Sequence, residues 1–545
     1  MVKWFGSKFI DMFHSRLTGL WLGIILIVAF AWKGLLLAWH AFPFNSDEAI
    51  VALMAKHILA GERPIFFYGQ AYMGSLDAYL VALGFMILGQ KVIVIRIVQS
   101  ILYGLTILCT YFIGKMAFQS SKIGLIAALM LAFPTVNGTL YTTISLGGYG
   151  EACLIGSLLL YLAFKNQADL QESKPIGMKM LIFGFLTGLG IWVHGITLIF
   201  SLPAGLYLVY YFYNQKGSRQ NYIQWLGLGM TGFVLGLLPI LFYVFQHGVQ
   251  TVWAELFGSA VAVETGFWLA TWLSHLFSLV LFGIPVLFGM RPPWTTTIQQ
   301  LYFFPLLIGF LVVVGFILYR ELRTRTLPAA GTLCIAILLL LFATFIGTSF
   351  GIDPSGRYFV PLMIPGALLA GYAISKLMAN HKAWGLLIAC WCVYQIAVTG
   401  SLALKPPYLT TQFYTPAMVD HGYNQQLIDF LHENELTTGY TNYWVAYPLA
   451  FLSGEELIYV PQLPYHPDLR FTERDNRYLP YLDKVTGSTE ISYIVTRNPE
   501  LDENLVEQFT QAGIDYSYQE IGDYHIYYHL SSDIRPDELG FSSQD

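Results

Sequence analysis

Charge is what this sequence has least of. Only 12% of its 545 residues are Asp, Glu, Lys or Arg, against about a quarter in a typical soluble domain. Taken with 55% hydrophobic residues, 16% aromatic residues and a mean hydropathy of +0.55, that shortage excludes a soluble cytosolic enzyme, a disordered chain and a fibrous repeat protein. Cysteine is scarce too. Cys109, Cys153, Cys334, Cys390 and Cys392 all lie in or beside apolar segments, so no disulfide framework or Cys-based zinc site is available to the rest of the chain. There is no HExxH, GxSxG or P-loop pattern. The basic residues sit between apolar segments and form no stripe, which excludes nucleic acid as a partner.

What the chain has is long apolar runs and a split in charge. Residues 1–402 hold 22 Lys/Arg against 12 Asp/Glu, whereas residues 403–545 hold 7 against 22. A basic, membrane-embedded body of 1–402 is therefore expected to precede an acidic, soluble domain of 403–545, with 41–94 as a first outer loop carrying juxtamembrane helices. Lys3, Lys8 and Arg16 precede an apolar run near 17–40 with no small-residue cleavage site. That pattern predicts an uncleaved first span with a cytoplasmic N-terminus.

Further spans are expected near 95–117, 122–136, 149–165, 178–194, 196–213, 222–245, 302–320, 330–348, 358–378 and 384–402, which makes about eleven transmembrane helices. The positive-inside rule tests that count. Lys115 with Lys122, Lys165 with Lys174 and Lys179, Lys216 with Arg219, Arg320 with Arg323 and Arg325, and Lys376 with Lys382 all fall on one side. That side is the cytoplasm, so the acidic tail is expected outside. Two more apolar stretches, about 76–90 and about 273–290, break this parity if counted. They are read as surface-lying or re-entrant elements. The same topology gathers Asp47, Glu48, His57, Asp77, Lys91, Arg96, Glu151, His194, Glu264, Arg291, Asp353, Arg357 and Tyr358 at the outer face. Ionisable groups at membrane depth are costly and usually functional.

The segment Phe44-Asn45-Ser46-Asp47-Glu48-Ala49 closes the first span and opens a helix near 47–60. Asn45 with Glu48 three residues on matches a capping box. On that reading Glu48 is a cap and Asp47 an acid favoured by the helix N-terminus; the other reading makes Asp47 functional. An Asp-Glu pair just after the first span resembles the acidic signature of GT-C fold glycosyltransferases, which use lipid-linked sugar donors. The stretch from Tyr68-Gly69-Gln70 to Asp77-Ala78-Tyr79 is similar to a bacterial branch related to the protein mannosyltransferases and aminoarabinose transferases. So are Gly150-Glu151, Trp192-Val193-His194, Gly356-Arg357-Tyr358 with Pro361, and Tyr443-Trp444-Val445-Ala446-Tyr447. The Lys-Pro-Pro or His-Pro-Pro stretch of many relatives is absent, and Met73-Gly74-Ser75 stands near its place.

The resemblance implies a GT-C-like polytopic helical protein with a small extracytoplasmic α/β domain, resident in a bacterial inner membrane. It implies transfer of a sugar from a polyprenyl-phosphate donor to a glycan, lipid or protein acceptor, with inversion. The acceptor's proton must go to a carboxylate. Asp47 is the resemblance-based base, with Glu48 as neighbour or cap and Asp77 as a second acid. The departing lipid phosphate needs fixed cations. Arg357 is the first candidate, because a guanidinium grips phosphate with a fork of donors. Arg96 and Tyr358 follow, with interface roles as their alternatives. Glu151, His194 and His57 complete the expected pocket; Glu151 serves equally as a helix-terminal acid and His194 as hydrogen-bonded structure. Their spacing has no metal signature, so no cofactor is assigned and a divalent cation has no support.

In the tail, helices are expected at 425–434 and 504–512 and strands at 456–460, 492–496 and 524–530. Its many Tyr and Trp side chains serve as core or as sugar-stacking rings. The competing reading of the whole chain is a transporter or flippase for a lipid-linked or polar substrate. Such a protein favours midplane charges and repeated halves, and no repeat is visible here. A non-catalytic scaffold that kept the fold is the third reading.

Overall fold

The computed structural model describes residues 2–214, 219–255, 267–299, 301–413, 418–465, 469, 471–539, 541 and 543–544. Lys216 and Glu264 lie outside them. The chain forms two compact units. One comprises Met1–Ala41, Tyr72–Leu76 and Arg96–Leu409; the other comprises Phe42–Ala71, Asp77–Ile95 and Thr410–Asp545.

The first unit is helical. Among the described residues, nine helices are long and apolar enough to cross a membrane. Eight of them fall on expected spans, from Leu17–Ala38 to Lys382–Ala403. The expected spans at 122–136 and 178–194 appear as the shorter apolar helices Ser121–Ala132 and Gly177–Val193. That at 149–165 is the less apolar helix Tyr149–Gln171. The ninth long helix corrects a length. The stretch read as short near 273–290 begins at Trp268, and Trp268–Leu287 has 20 residues, about 30 Å at 1.5 Å per residue, as long as a span needs. A π turn at Leu279–Gly283 and Pro285 near its end interrupt its regular pattern. By contrast Leu76–Leu88, with 13 residues, reaches only about 20 Å and cannot span alone.

Small residues set the closest helix packing. A Cβ on Gly188 would press into the Phe233 carbonyl, and one on Gly232 into that of Leu181. The helices Gly177–Val193 and Arg219–His247 thus meet backbone to backbone, the usual means of tight association where apolar side chains gain nothing over lipid. Two groups of the basic residues are internally paired. Lys165 and Lys179 hold Asp169 at 2.9 and 3.0 Å. Lys376 and Arg320 both meet the buried Glu321, which brings the ends of two non-consecutive helices together.

The second unit carries a five-stranded sheet. Its strands are β1 (Thr438–Thr441), β2 (Ile458–Pro461), β3 (Ser492–Thr496), β4 (Ser517–Ile521) and β5 (Tyr524–Tyr528), in the order β2-β1-β3-β5-β4. β1 pairs in parallel with β2 and β3, while β3–β5 and β5–β4 are antiparallel. The expected strands near 456–460, 492–496 and 524–530 are β2, β3 and β5. The expected helices are Asn424–Glu433 and Pro499–Ala512. β1 and β4 were not foreseen. β1 is four residues with a glycine inside it, a poor strand signal. Gly439 is needed there, because a Cβ would strike the Ser492 carbonyl and the Tyr459 ring. Leu427, Leu431, Val445, Leu449, Tyr459 and Ile494 form the core beside the sheet. In the same unit Phe451 packs against Phe44 and Phe85 at 5.6 and 6.0 Å, joining the tail to the segment before Ser46–Ala60 and to the helix Leu76–Leu88.

Candidate active site

The helix Ser46–Ala60 starts where the sequence says it should. Asn45 has an extended backbone and its side chain accepts from the Glu48 N–H, so Asn45 is the cap. Its side-chain amide donates to Thr411 Oγ1 at 2.8 Å. Thr411 in turn donates to Asp47 Oδ2 at 2.8 Å, and the Tyr443 phenol donates to Asp47 Oδ1 at 2.8 Å. The Ser46 hydroxyl donates to the Tyr443 carbonyl. Both carboxylate oxygens of Asp47 are therefore met by hydroxyls from far along the chain.

Of the three expected acids, Asp47 alone is partly exposed. Glu48 and Asp77 are both 0% exposed. Asp77 accepts from the Ala78 N–H at 2.8 Å, at the start of Leu76–Leu88. That is the behaviour of a helix-terminal acid.

The tail surrounds Asp47 with groups that sequence reasoning missed. The Arg477 guanidinium lies 5.5 Å from the Tyr443 ring centroid, and Gln70, with its amide oxygen toward Arg477, accepts from both terminal nitrogens at 2.7 and 3.1 Å. Burial works against the Arg477 charge, but Tyr443, Asp475, Tyr447 and Asp47 outweigh it and hold the group above its ordinary range. Burial, with the Asp47 charge, pushes the Tyr443 phenol well up. Burial likewise raises the Asp475 carboxyl to about 6, against the pull of Arg477. Tyr443 belongs to a motif visible in the sequence; Thr411, Arg477 and Asp475 belong to none.

His57 has a different setting. Its ring meets Glu455 Oε1 at 2.8 Å and the Tyr68 hydroxyl at 3.0 Å, and lies 4.6 Å from the Tyr478 ring. Lys56 reaches the other Glu455 oxygen at 2.6 Å, and Tyr481 donates to Glu455 at 2.7 Å. Both ring nitrogens are taken, so His57 ties the helix Ser46–Ala60 to the tail.

The first unit gathers the expected cation and its neighbours. Arg357 Nε pairs with Asp353 Oδ2 at 2.7 Å, with the Arg357 side chain 44% exposed. Its Nη2 donates to the Tyr358 hydroxyl at 3.2 Å. The preceding turn is rigid. Gly356 sits at φ +76°, where a Cβ would press into Val286, and its carbonyl accepts from Asn137 at 2.9 Å. Arg291 is 1% exposed and donates to the Phe282, Pro292, Thr295 and Pro354 carbonyls. Arg291 is thus committed to the main chain.

Tyr149 and His194 are close enough to feel the Arg357 charge, and their rings lie 4.8 Å apart. His194 Nδ1 accepts from the Ile196 N–H at 3.2 Å, which leaves the proton on Nε2 when the ring is neutral. Glu151 is 2% exposed and accepts from Gln99 at 3.0 Å. Arg96 is one turn before Gln99 on Val92–Ala117 and is buried.

One buried ionisable residue escaped the sequence reading. Lys33, inside the first span, donates to Thr142 O, Thr142 Oγ1 and Thr143 Oγ1 at 2.7, 3.0 and 2.7 Å. A single lysine in a long apolar run is averaged away. Among the described residues no group of three His, Cys, Asp or Glu could hold a metal ion.

Comparison with known proteins bears on the fold. Residues 75–243 match the family model described as dolichyl-phosphate-mannose-protein mannosyltransferase. A comparison with curated protein sequences finds no significant match. Among solved structures, ArnT from Cupriavidus metallidurans in the apo state is similar over 94% of this chain and 98% of its own, at 14% identity and a TM-score of 0.58. The same enzyme bound to undecaprenyl phosphate gives 13% identity, 94% and 99% coverage and a TM-score of 0.56. The oligosaccharyltransferase of Archaeoglobus fulgidus in complex with Zn and sulfate is similar at 12% identity over 93% of this chain and 73% of its own, with a TM-score of 0.50. The chain is a multi-pass helical membrane protein with the fold of the GT-C glycosyltransferases, followed by a small C-terminal sheet domain.

Proposed function

We propose that this protein transfers a sugar from a polyprenyl-phosphate donor to an acceptor hydroxyl at the outer face of a bacterial inner membrane, in one inverting displacement. The observation that carries the reading is Asp47, the one expected acid left accessible and already hydrogen-bonded to hydroxyl groups on both oxygens. A carboxylate so placed can take the acceptor's proton as its oxygen attacks the anomeric carbon. Arg357 is the proposed partner of the leaving phosphate, being half-exposed and offering a planar fork of donors beyond its contact with Asp353. The lipid-phosphate donor class is supported by the similar ArnT structure with undecaprenyl phosphate bound.

The test is direct. Purified protein is incubated with a panel of labelled polyprenyl-phosphate sugars, and sugar transfer or release is followed. Asp47→Asn keeps the shape and one acceptor oxygen but cannot take a proton, so kcat should fall by roughly 10²–10⁴. Glu48→Gln, judged by equal folded yield, should stay near normal if Glu48 is structural. Full activity in Asp47→Asn would end the assignment.

A further inference from the structure

The seat beside Asp47 is already filled by a hydroxyl of the chain itself. Thr411 Oγ1 accepts from Asn45 Nδ2 at 2.8 Å and donates to Asp47 Oδ2 at 2.8 Å. Those are the contacts an acceptor alcohol needs at a general base: its proton aimed at the carboxylate and its oxygen held by a neutral donor. The other hydroxyl on Asp47 is not exchangeable in this way. Tyr443 is 5% exposed, with its ring between Trp444 and Tyr447 at 5.0 and 5.7 Å and Arg477 over it. Thr411 is only partly buried.

We propose that Asn45 and Asp47 form the hydroxyl seat for the acceptor, and that Thr411 occupies it as an internal stand-in which the acceptor displaces. The inference rests on the glycosyl-transfer reading above and adds the subsite that reading lacks. With the acceptor in place, its oxygen bonds to the anomeric carbon and the carbon–oxygen bond to the lipid phosphate breaks. That electron pair leaves on the phosphate, and the hydroxyl proton passes to Asp47. Asn45 holds the incoming oxygen until attack.

Three variants of the full-length protein separate a stand-in from a positioning residue. Thr411→Ala empties the seat, Thr411→Val fills it with a methyl group, and Thr411→Ser restores the hydroxyl. Each is assayed with the donor found in the panel above, with water and methanol as acceptors, reading free sugar and methyl glycoside. A stand-in predicts release about tenfold faster in Thr411→Ala, the scale of one hydrogen bond that no longer has to be broken. It also predicts release slower than wild type in Thr411→Val and unchanged in Thr411→Ser. Equal losses in Ala and Val would overturn the stand-in and make Thr411 a support for Asp47. Wild-type release no faster than that of Asp47→Asn would instead sink the glycosyl-transfer reading itself.

Discussion

Tyr443→Phe is the sharpest probe of how the tail acts on the site. The substitution removes one hydroxyl and leaves the ring, so the packing against Trp444 and Tyr447 should survive. What is lost is the phenol's hydrogen bond to Asp47 Oδ1 at 2.8 Å. A hydrogen bond to a charged group contributes about 1.5–3 kcal/mol, and each 1.36 kcal/mol in a barrier is a factor of ten in rate. Thr411 still donates to the other oxygen, so the carboxylate is held by one partner in place of two. If the phenol holds Asp47 in line with the incoming hydroxyl, transfer should fall by about ten- to a hundredfold in Tyr443→Phe. The loss should appear in kcat, because the hydroxyl orients the proposed base and does not touch the donor's lipid. The assay is initial-rate glycosyl transfer on protein with matched thermal melts. A wild-type kcat in Tyr443→Phe would refute the reasoning and leave Tyr443 as a packing residue.

Arg357→Lys keeps the charge and loses the fork that also meets Asp353. Transfer should fall about tenfold or more, on the scale of one charge-assisted hydrogen bond, and wild-type rates in both Arg357→Lys and Arg357→Ala would remove Arg357 from the site. Glu455 gives a stability prediction. Burial would raise its carboxyl, but His57, Lys56 and Tyr481 outweigh that and hold it near 2, down from 4.5. A depressed acid stabilises the fold above its unfolded value and loses that contribution as pH falls through the folded one. Wild type should exceed Glu455→Gln by about 2–3 kcal/mol at neutral pH, and the gap should close between pH 4.5 and about 2. Melting curves in detergent measure it, and a gap independent of pH would show that the ionised form contributes nothing.

The parts of this fold legible in the sequence are those written locally. Long apolar runs gave eight of the long helices, and alternation with β-branched residues gave β2, β3 and β5. The helix start at Ser46 was legible because Asn45 and Glu48 make a capping pattern that needs no tertiary context; Asp47 as a base came only from the resemblance. Trp268–Leu287 was understated at its start, because the run was read only from about Leu273 onward. The partners of Asp47 were hidden for a different reason. Thr411 and Tyr443 are 364 and 396 residues away, and neither type signals a bond to an acid. Arg477 reaches the same cluster through a ring face and the Gln70 amide, contacts that leave no spacing in the chain.

With so few ionisable groups, the manner in which each is satisfied separates structure from chemistry. Arg291 is spent on four main-chain carbonyls, and Lys33 on two threonines. Glu321 is held by Lys376 and Arg320, and His57 has both nitrogens engaged. Each of these is buried among fixed partners, and moving any of them would strand a polar group where water cannot reach it. Asp47 and Arg357 differ from all four. Asp47 is held by side-chain hydroxyls, one of them on a partly exposed residue, and Arg357 keeps 44% of its side chain open. A hydroxyl can be exchanged for a substrate's at little cost, because one neutral donor replaces another. An exposed guanidinium can take a phosphate without first breaking a buried ion pair. In a membrane protein this poor in charge, exchangeable partners are what distinguish a group available for reaction from one that holds the helices together.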